Sequence, residues 1–187
     1  MVEGQARITE FDEIYKEYCI MKGLLHRLDH SSSAWIQVED ETNDKISESV
    51  EKFMKQQKFK ANDLQQFAKI NHNKNVIVIG STGMGKTEAG LLWIGDNKGF
   101  FILPLKTAIN AIFDRIQNKI IQNENIEARI ALIHGDMMSI YRSHIRSTRE
   151  SQDKAFTEEE YDLIDYYNKS RNFSYPLNIS TPDQLFD

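Results

Sequence analysis

Val76-Ile77-Val78-Ile79-Gly80-Ser81-Thr82-Gly83-Met84-Gly85-Lys86-Thr87 is the stretch whose reading decides the fold. Its last eight residues match G-x-x-x-x-G-K-[ST] in full. An apolar run precedes them, and a helical-looking stretch from Lys86 to Ile94 follows. That is the strand–loop–helix order of a phosphate-binding loop. The spacing predicts a strand over 76–79 and a helix over 86–94. A glycine-rich turn that merely joins a strand to a helix would need only part of this pattern. The full octet between the right flanks favours a nucleoside triphosphate carried with magnesium.

The chemistry explains the residue types. A triphosphate is anionic and strongly hydrated, so many donors must converge to replace its water. Backbone N–H groups supply them if no side chain blocks the approach. Gly80, Gly83 and Gly85 keep the backbone open and permit positive φ. Ser81, Thr82 and Met84 complete the loop. The N-terminus of the following helix adds unpaired N–H groups and partial positive charge. Lys86 is expected to reach the β- and γ-phosphates, and the Thr87 hydroxyl to ligate Mg2+.

Composition narrows the class. The 187 residues suffice for one domain, or for one domain and part of another. No run of 18 apolar residues occurs, which excludes a membrane-spanning helix. The N-terminus lacks a basic-then-apolar signal pattern. Cys19 is the sole cysteine, so neither an internal disulfide nor a cysteine-based zinc cluster can form. These features lead to the expectation of a cytoplasmic protein without a membrane partner. The net charge of −5 is unevenly spread: −7 over 1–51, +8 over 52–149 and −6 over 150–187. The segment that holds the loop is therefore basic and suits a polyanion, although a solvated lysine-rich surface would look the same.

Along the chain, residues 9–28 read as an amphipathic helix, with Phe11, Ile14, Tyr15, Tyr18, Met21, Leu25 and Leu28 at three- and four-residue spacing. Its wide apolar face has no evident partner. Residues 31–51 are serine-rich and then acidic, which reads as linker. A helix is expected over 61–70. Thereafter strand 76–79, helix 86–94, strand 100–103, helix 105–121 and strand 128–133 alternate. A polar, partly helical insertion over about 136–174 leads to a last strand, Leu177–Ser180. Such alternation implies a parallel sheet with helices on both faces and ligands beyond the carboxyl ends of the strands.

Short motifs fall at those ends. Leu103-Pro104-Leu105-Lys106 runs on through Asn110 to Arg115; His134-Gly135-Asp136 follows the third strand, and Thr181-Pro182-Asp183-Gln184-Leu185 the fourth. The series resembles the first RecA-like domain of a superfamily-two helicase. With Lys86-Thr87-Glu88-Ala89, it is similar to the CRISPR-associated helicase–nuclease of type I systems. Lys22-Gly23-Leu24-Leu25-His26-Arg27-Leu28-Asp29-His30 resembles the last helix of that family's HD nuclease domain. The fold class implied is α/β: an incomplete RecA-like P-loop domain with a parallel sheet, preceded by a helical remnant of an HD nuclease domain. The implied division is 1–36 for the end of the nuclease domain, 37–60 for an acidic linker, and 61–187 for the first RecA-like domain.

The resemblance also implies site residues. Gln65, 15 residues before Gly80, stands where such helicases read adenine, with Gln66 as its neighbouring competitor. Lys106, Thr181 and Gln184 match positions that touch the backbone of single-stranded DNA, contacts that position a strand without reading its sequence. Asp29 corresponds to a ligand of the transition metal in an intact HD domain, although one carboxylate cannot hold a metal by itself. The family often has proline at Ser81, serine at Met84 and arginine at Lys106; the last change keeps charge but loses the planar fork. A D-E-x-H carboxylate motif, which orients water and magnesium, does not occur within 1–187. By resemblance the chain is thus the ATP-binding part of an ATP-dependent DNA helicase–nuclease of CRISPR antiviral defence, expected to hydrolyse almost nothing alone. The alternative is a truncated, non-catalytic module that binds the guide-RNA surveillance complex or a helicase partner.

Overall fold

The computed structural model describes residues 13–39, 46–121, 130–136 and 158–186. Its centre is a three-stranded parallel sheet of β1 (Gly99–Ile102), β2 (Ile130–Ile133) and β3 (Leu177–Ser180). The spatial order is β1-β3-β2, with Gly99 and Ile130 both opposite Leu177, and Ile102 and Ile133 both opposite Ser180. As the middle strand, β3 is buried along its whole length, which a parallel strand covered on both faces requires. Its polar Asn178 is accommodated because Nδ2 donates to the Tyr175 carbonyl at 2.9 Å.

Helices cover the two faces. On one side lie α2 (Ile46–Gln56), α4 (Lys86–Ile94) and α5 (Lys106–Arg115), the last continuing as a π-helical turn, Ile116–Ile121. Ile46, Val50, Met54, Leu91, Leu92, Ile94, Ile109, Ile116 and Ile120 close there over Ile130, Leu177 and Ile179. On the other side α6 (Glu158–Arg171) brings Tyr166 against Ala131, Ile133 and Tyr175. The short α7 (Pro182–Phe186) follows β3. α3 (Asp63–Ile70) packs on α4, and Trp93 Nε1 donates to the carbonyls of Asn71 and Lys74 at 3.1 and 3.0 Å. This mixed architecture fits an incomplete RecA-like α/β domain, and no described helix is long and apolar enough to cross a membrane.

Helix 86–94 and strand 177–180 have the expected bounds, and the expected helix over 61–70 forms as Asp63–Ile70. The expected strand over 100–103 lies one residue earlier, and helix 105–121 divides into α5 and its π-helical turn. Strand 128–133 is seen as β2 over 130–133, with 128–129 outside the described residues; so is most of the 136–174 insertion, whose described helix is α6.

Three stretches differ from expectation. Residues 76–79 form no strand, and Ile77 and Ile79 are 92% and 97% exposed. A strand is a paired object, and no described strand pairs with this run. Within the acidic stretch expected as linker over 37–60, residues 46–56 form a core helix. Ile46, Val50 and Met54 recur every fourth residue and face inward, while the charges that suggested a linker face outward. Finally, α1 spans Glu13–Ala34, beyond the expected end at Leu28. No helix breaker lies between Asp29 and Ala34, and the helix ends at Trp35, whose φ is 56°. Residues 9–12 lie outside the described part.

α1 is attached through polar contacts rather than its apolar face. Arg27 donates through Nε to the Asn172 carbonyl at 3.0 Å and through Nη2 to the Val38 carbonyl at 2.8 Å and to Glu39 at 2.6 Å. Asn172 Nδ2 donates to Ser31 Oγ at 2.7 Å. Ile14, Tyr18, Met21, Leu25 and Leu28 remain exposed.

Candidate functional site

The loop from Gly80 to Thr87 has the backbone its sequence requires. Gly83 and Gly85 have φ of 86° and 75°, where side chains are strained. Gly85 is the N-cap of α4 and provides no side-chain cap, so the first N–H groups of the helix are left for a ligand. Lys86 Nζ donates to the carbonyls of Gly80 and Ser81 at 2.8 and 2.7 Å, folding its ammonium back onto the loop. Open glycines, an uncapped helix end and a cation beside them form a donor set that fits a polyphosphate. Gly80, Ser81, Thr82, Gly83, Met84, Gly85 and Lys86 would hold it, and Thr87 would hold its magnesium.

α3 buttresses this loop through a residue that sequence reasoning passed over. Asn62 Oδ1 accepts from Gln65 N at 2.9 Å, and Gln65 Oε1 accepts from Asn62 N at 3.0 Å, a reciprocal capping box. Asn62 Nδ2 then donates to the Met84 carbonyl at 3.0 Å. The Asn-x-x-Gln spacing was the available signal. Gln65 is buried, and its Nε2 lies 2.3 Å from the point a Gly85 Cβ would occupy. The carbonyl oxygen expected to face adenine is thus engaged in the cap.

Behind the loop, Glu88 is buried in α4, and its Oε1 accepts from Arg115 Nη2 of α5 at 2.5 Å. Oε2 has no partner among the described residues. This pair joins the helix of the phosphate loop to the helix opened by Lys106.

The carboxyl ends of the three strands gather a second group. Lys106 lies four residues beyond β1, and its Nζ donates to Asp136 Oδ2 at 2.8 Å. The Lys106 ammonium, through that bond and its charge, holds the Asp136 carboxyl below its ordinary value. His134 is buried after β2 and accepts from Asp136 N at Nδ1, at 3.3 Å. Burial lowers the His134 pKa despite the nearby Asp136 charge. After β3, Thr181 N donates to the Ile133 carbonyl, and Gln184 N to the Thr181 carbonyl. Lys106 and Gln184 are accessible at this edge, whereas Thr181 is buried. The sequence had marked His134 and Asp136 as a motif without a role. Neutralisation of Lys106 by Asp136 was not legible, because the partners lie on different strands' loops.

The proposed remnant ligand Asp29 is exposed on α1. Among the described residues no group of three or more His, Cys, Asp or Glu side chains is arranged to hold a metal.

Comparison with known proteins adds a family to this geometry. The DEAD/DEAH box helicase family matches residues 61–174. The CRISPR-associated nuclease/helicase Cas3 of Methanothermobacter thermautotrophicus (strain Delta H) is 25% identical over 95% of this chain and 21% of its own length. A putative CRISPR-associated nuclease/helicase Cas3 of Methanocaldococcus jannaschii is 31% identical over 60% of this chain and 15% of its own. The chain therefore spans about a fifth of the first relative's length. No solved structure matches significantly.

Proposed function

The chain belongs to the DEAD/DEAH box helicase family, and from that premise we propose that it is the ATP-binding part of an ATP-dependent DNA helicase–nuclease of CRISPR antiviral defence. The observation that carries this reading is the loop Gly80–Thr87, with two glycines at positive φ against an uncapped helix and Lys86 folded onto its carbonyls. ATP would supply the phosphoanhydride whose cleavage drives a motor. The chain's own task is to grip the phosphates by backbone N–H groups and Lys86, and to hold Mg2+ at Thr87. Gln65 retains its amide NH2 as a donor for adenine. Lys106 and Gln184 would lie along the sugar–phosphate backbone of a single strand; Thr181, buried with its N–H and carbonyl both engaged, would hold the turn that presents Gln184. In the intact assembly, the strand would be target DNA opened beside a guide-RNA surveillance complex, and an HD domain would carry its own transition metal, with Asp29 as a ligand.

Titration with a fluorescent ADP analogue and Mg2+ tests the reading. Saturable binding that Lys86→Ala weakens at least tenfold is expected. Binding that ignores Lys86→Ala would overturn it. A second reading, a non-catalytic module that docks on a surveillance complex or helicase partner, is favoured by the exposed apolar face of α1. It predicts that Leu25→Glu abolishes capture by such a complex while nucleotide affinity is unchanged. Capture unaffected by Leu25→Glu would count against it.

A further inference from the structure

A cleft of about 270 Å³ opens at the carboxyl end of β2, between α6 and α7. His134, Tyr167, Ser170, Arg171 and Gln184 form its polar wall, with Leu132 and Ile133 behind. Ser170 is 2% exposed; its Oγ interacts with the Tyr166 hydroxyl but makes no hydrogen bond of good geometry among the described residues. The neighbouring Tyr166 hydroxyl is engaged, accepting from Leu132 N at 3.1 Å and donating to the Ile130 carbonyl at 3.2 Å. With the Tyr166 hydroxyl committed to the backbone, the buried Ser170 hydroxyl gains a well-formed bond from a group in the cleft.

The wall chemistry selects the occupant. His134 accepts at Nδ1 from Asp136 N, so its neutral ring carries the proton on Nε2. Gln184 contributes an amide whose Nε2 already donates one hydrogen to Asp183 Oδ2 at 3.0 Å, and Ser170 a hydroxyl that both donates and accepts. This is a mixed, uncharged donor and acceptor set with apolar backing. It suits the edge and flat faces of a nucleobase better than a buried anion, which needs converging cations. Among the described residues Arg171 is the cation of the wall, and it is exposed, where a phosphate outside the cleft can meet it. The volume is enough for a nucleobase. Gln184 also belongs to the edge proposed to carry a strand, so the cleft continues that path.

We infer that this cleft receives a nucleobase of a bound DNA strand, with Arg171 on the adjoining phosphate and the insertion helix α6 as part of the nucleic-acid site. The inference rests on the single-strand reading given above.

A fluorescein-labelled oligothymidine 12-mer and its fully abasic counterpart, titrated across a salt series, test it. Oligothymidine should bind the unaltered chain, and Lys106→Ala should weaken it. Arg171→Gln should lower affinity and reduce the slope of log affinity against log salt by roughly 0.7, one phosphate contact on a single strand. Ser170→Ala should lower oligothymidine affinity about three- to tenfold without altering that slope, and should leave abasic binding unchanged. Circular dichroism verifies the fold; if Ser170→Ala perturbs it, exposed Arg171→Gln and the abasic strand decide. If Lys106→Ala weakens binding but Arg171→Gln does not, and the abasic strand binds as well as oligothymidine, the cleft assignment alone is overturned. If the unaltered chain binds neither strand, the single-strand reading fails and the cleft assignment with it.

Discussion

Truncating Val50 measures whether the segment 46–56 is core or linker. Val50 is fully buried on α2, within the cluster that includes Leu91 and Leu92 of α4 and Ile116 of the π-helical turn. Val50→Ala removes two methyl groups from this contact. At about 0.8 kcal/mol per buried carbon, the lost transfer free energy is about 1.6 kcal/mol. The space left, about 50 Å³ before relaxation, adds about 1 kcal/mol. The expected loss is therefore about 2.5 kcal/mol. Lys52, exposed on the same helix, is the control: Lys52→Ala should change stability by less than about 0.5 kcal/mol. Urea unfolding followed by circular dichroism reads both, and with a slope of about 2 kcal/mol per molar the Val50→Ala midpoint should fall by about 1 M. If Val50→Ala and Lys52→Ala unfold at the same midpoint, α2 is not part of the folded core.

Two glycines should respond in opposite directions to the same substitution. Gly85→Ala meets positive φ and Gln65 Nε2, and should lose about 1–3 kcal/mol along with nucleotide affinity; Gly23→Ala, in open space within α1, should gain about 0.5–1 kcal/mol by thermal melting. Arg115→Ala leaves the Glu88 carboxylate buried without its partner; a loss of about 2–3 kcal/mol is expected, under the range for a fully buried pair because Arg115 is half exposed, and adding Glu88→Gln should recover part of it. Because the folded state lowers the His134 pKa below 6.5, its contribution is complete above that value and declines as pH falls from 6.5 towards the folded pKa. Melting temperatures from pH 7.5 to 5 should show that decline, and His134→Gln should remove it; a slope unchanged by the substitution would refute the assignment.

What could be read from the sequence was local. The glycines and Lys86 specify a backbone path within eight residues, and α4 begins and ends as its spacing predicts because Gly85 and Gly95 flank it. Leu177–Ser180 was legible as a short apolar run before Thr181-Pro182. What escaped depended on distant partners. Val76–Ile79 has the residues of a buried strand, but a ladder requires a neighbour. The apolar stripe of α2 was masked by the charges between its members. Gln65 lies against Gly85 of the loop, and its oxygen is engaged by Asn62, a pairing whose local signal was the Asn-x-x-Gln spacing. The charge of Lys106 was visible, whereas its pairing with Asp136 depends on two strands lying in one sheet.

The placement of β3 between β1 and β2 also determines when a sheet can exist during synthesis. Neither outer strand pairs with the other, so a nascent chain that has not reached Leu177 contains no described ladder. β1 must then wait from Ile102 to Leu177 for its partner, with the α6 segment emerging in between. Every hydrogen bond of the sheet waits for a long loop to close, from Ile133 to Leu177 for β2 and from Ile102 to Leu177 for β1, which places this sheet among the slow, non-local assemblers. Until β3 arrives, β1 and β2 both stay unpaired, open to chaperones or to wrong partners.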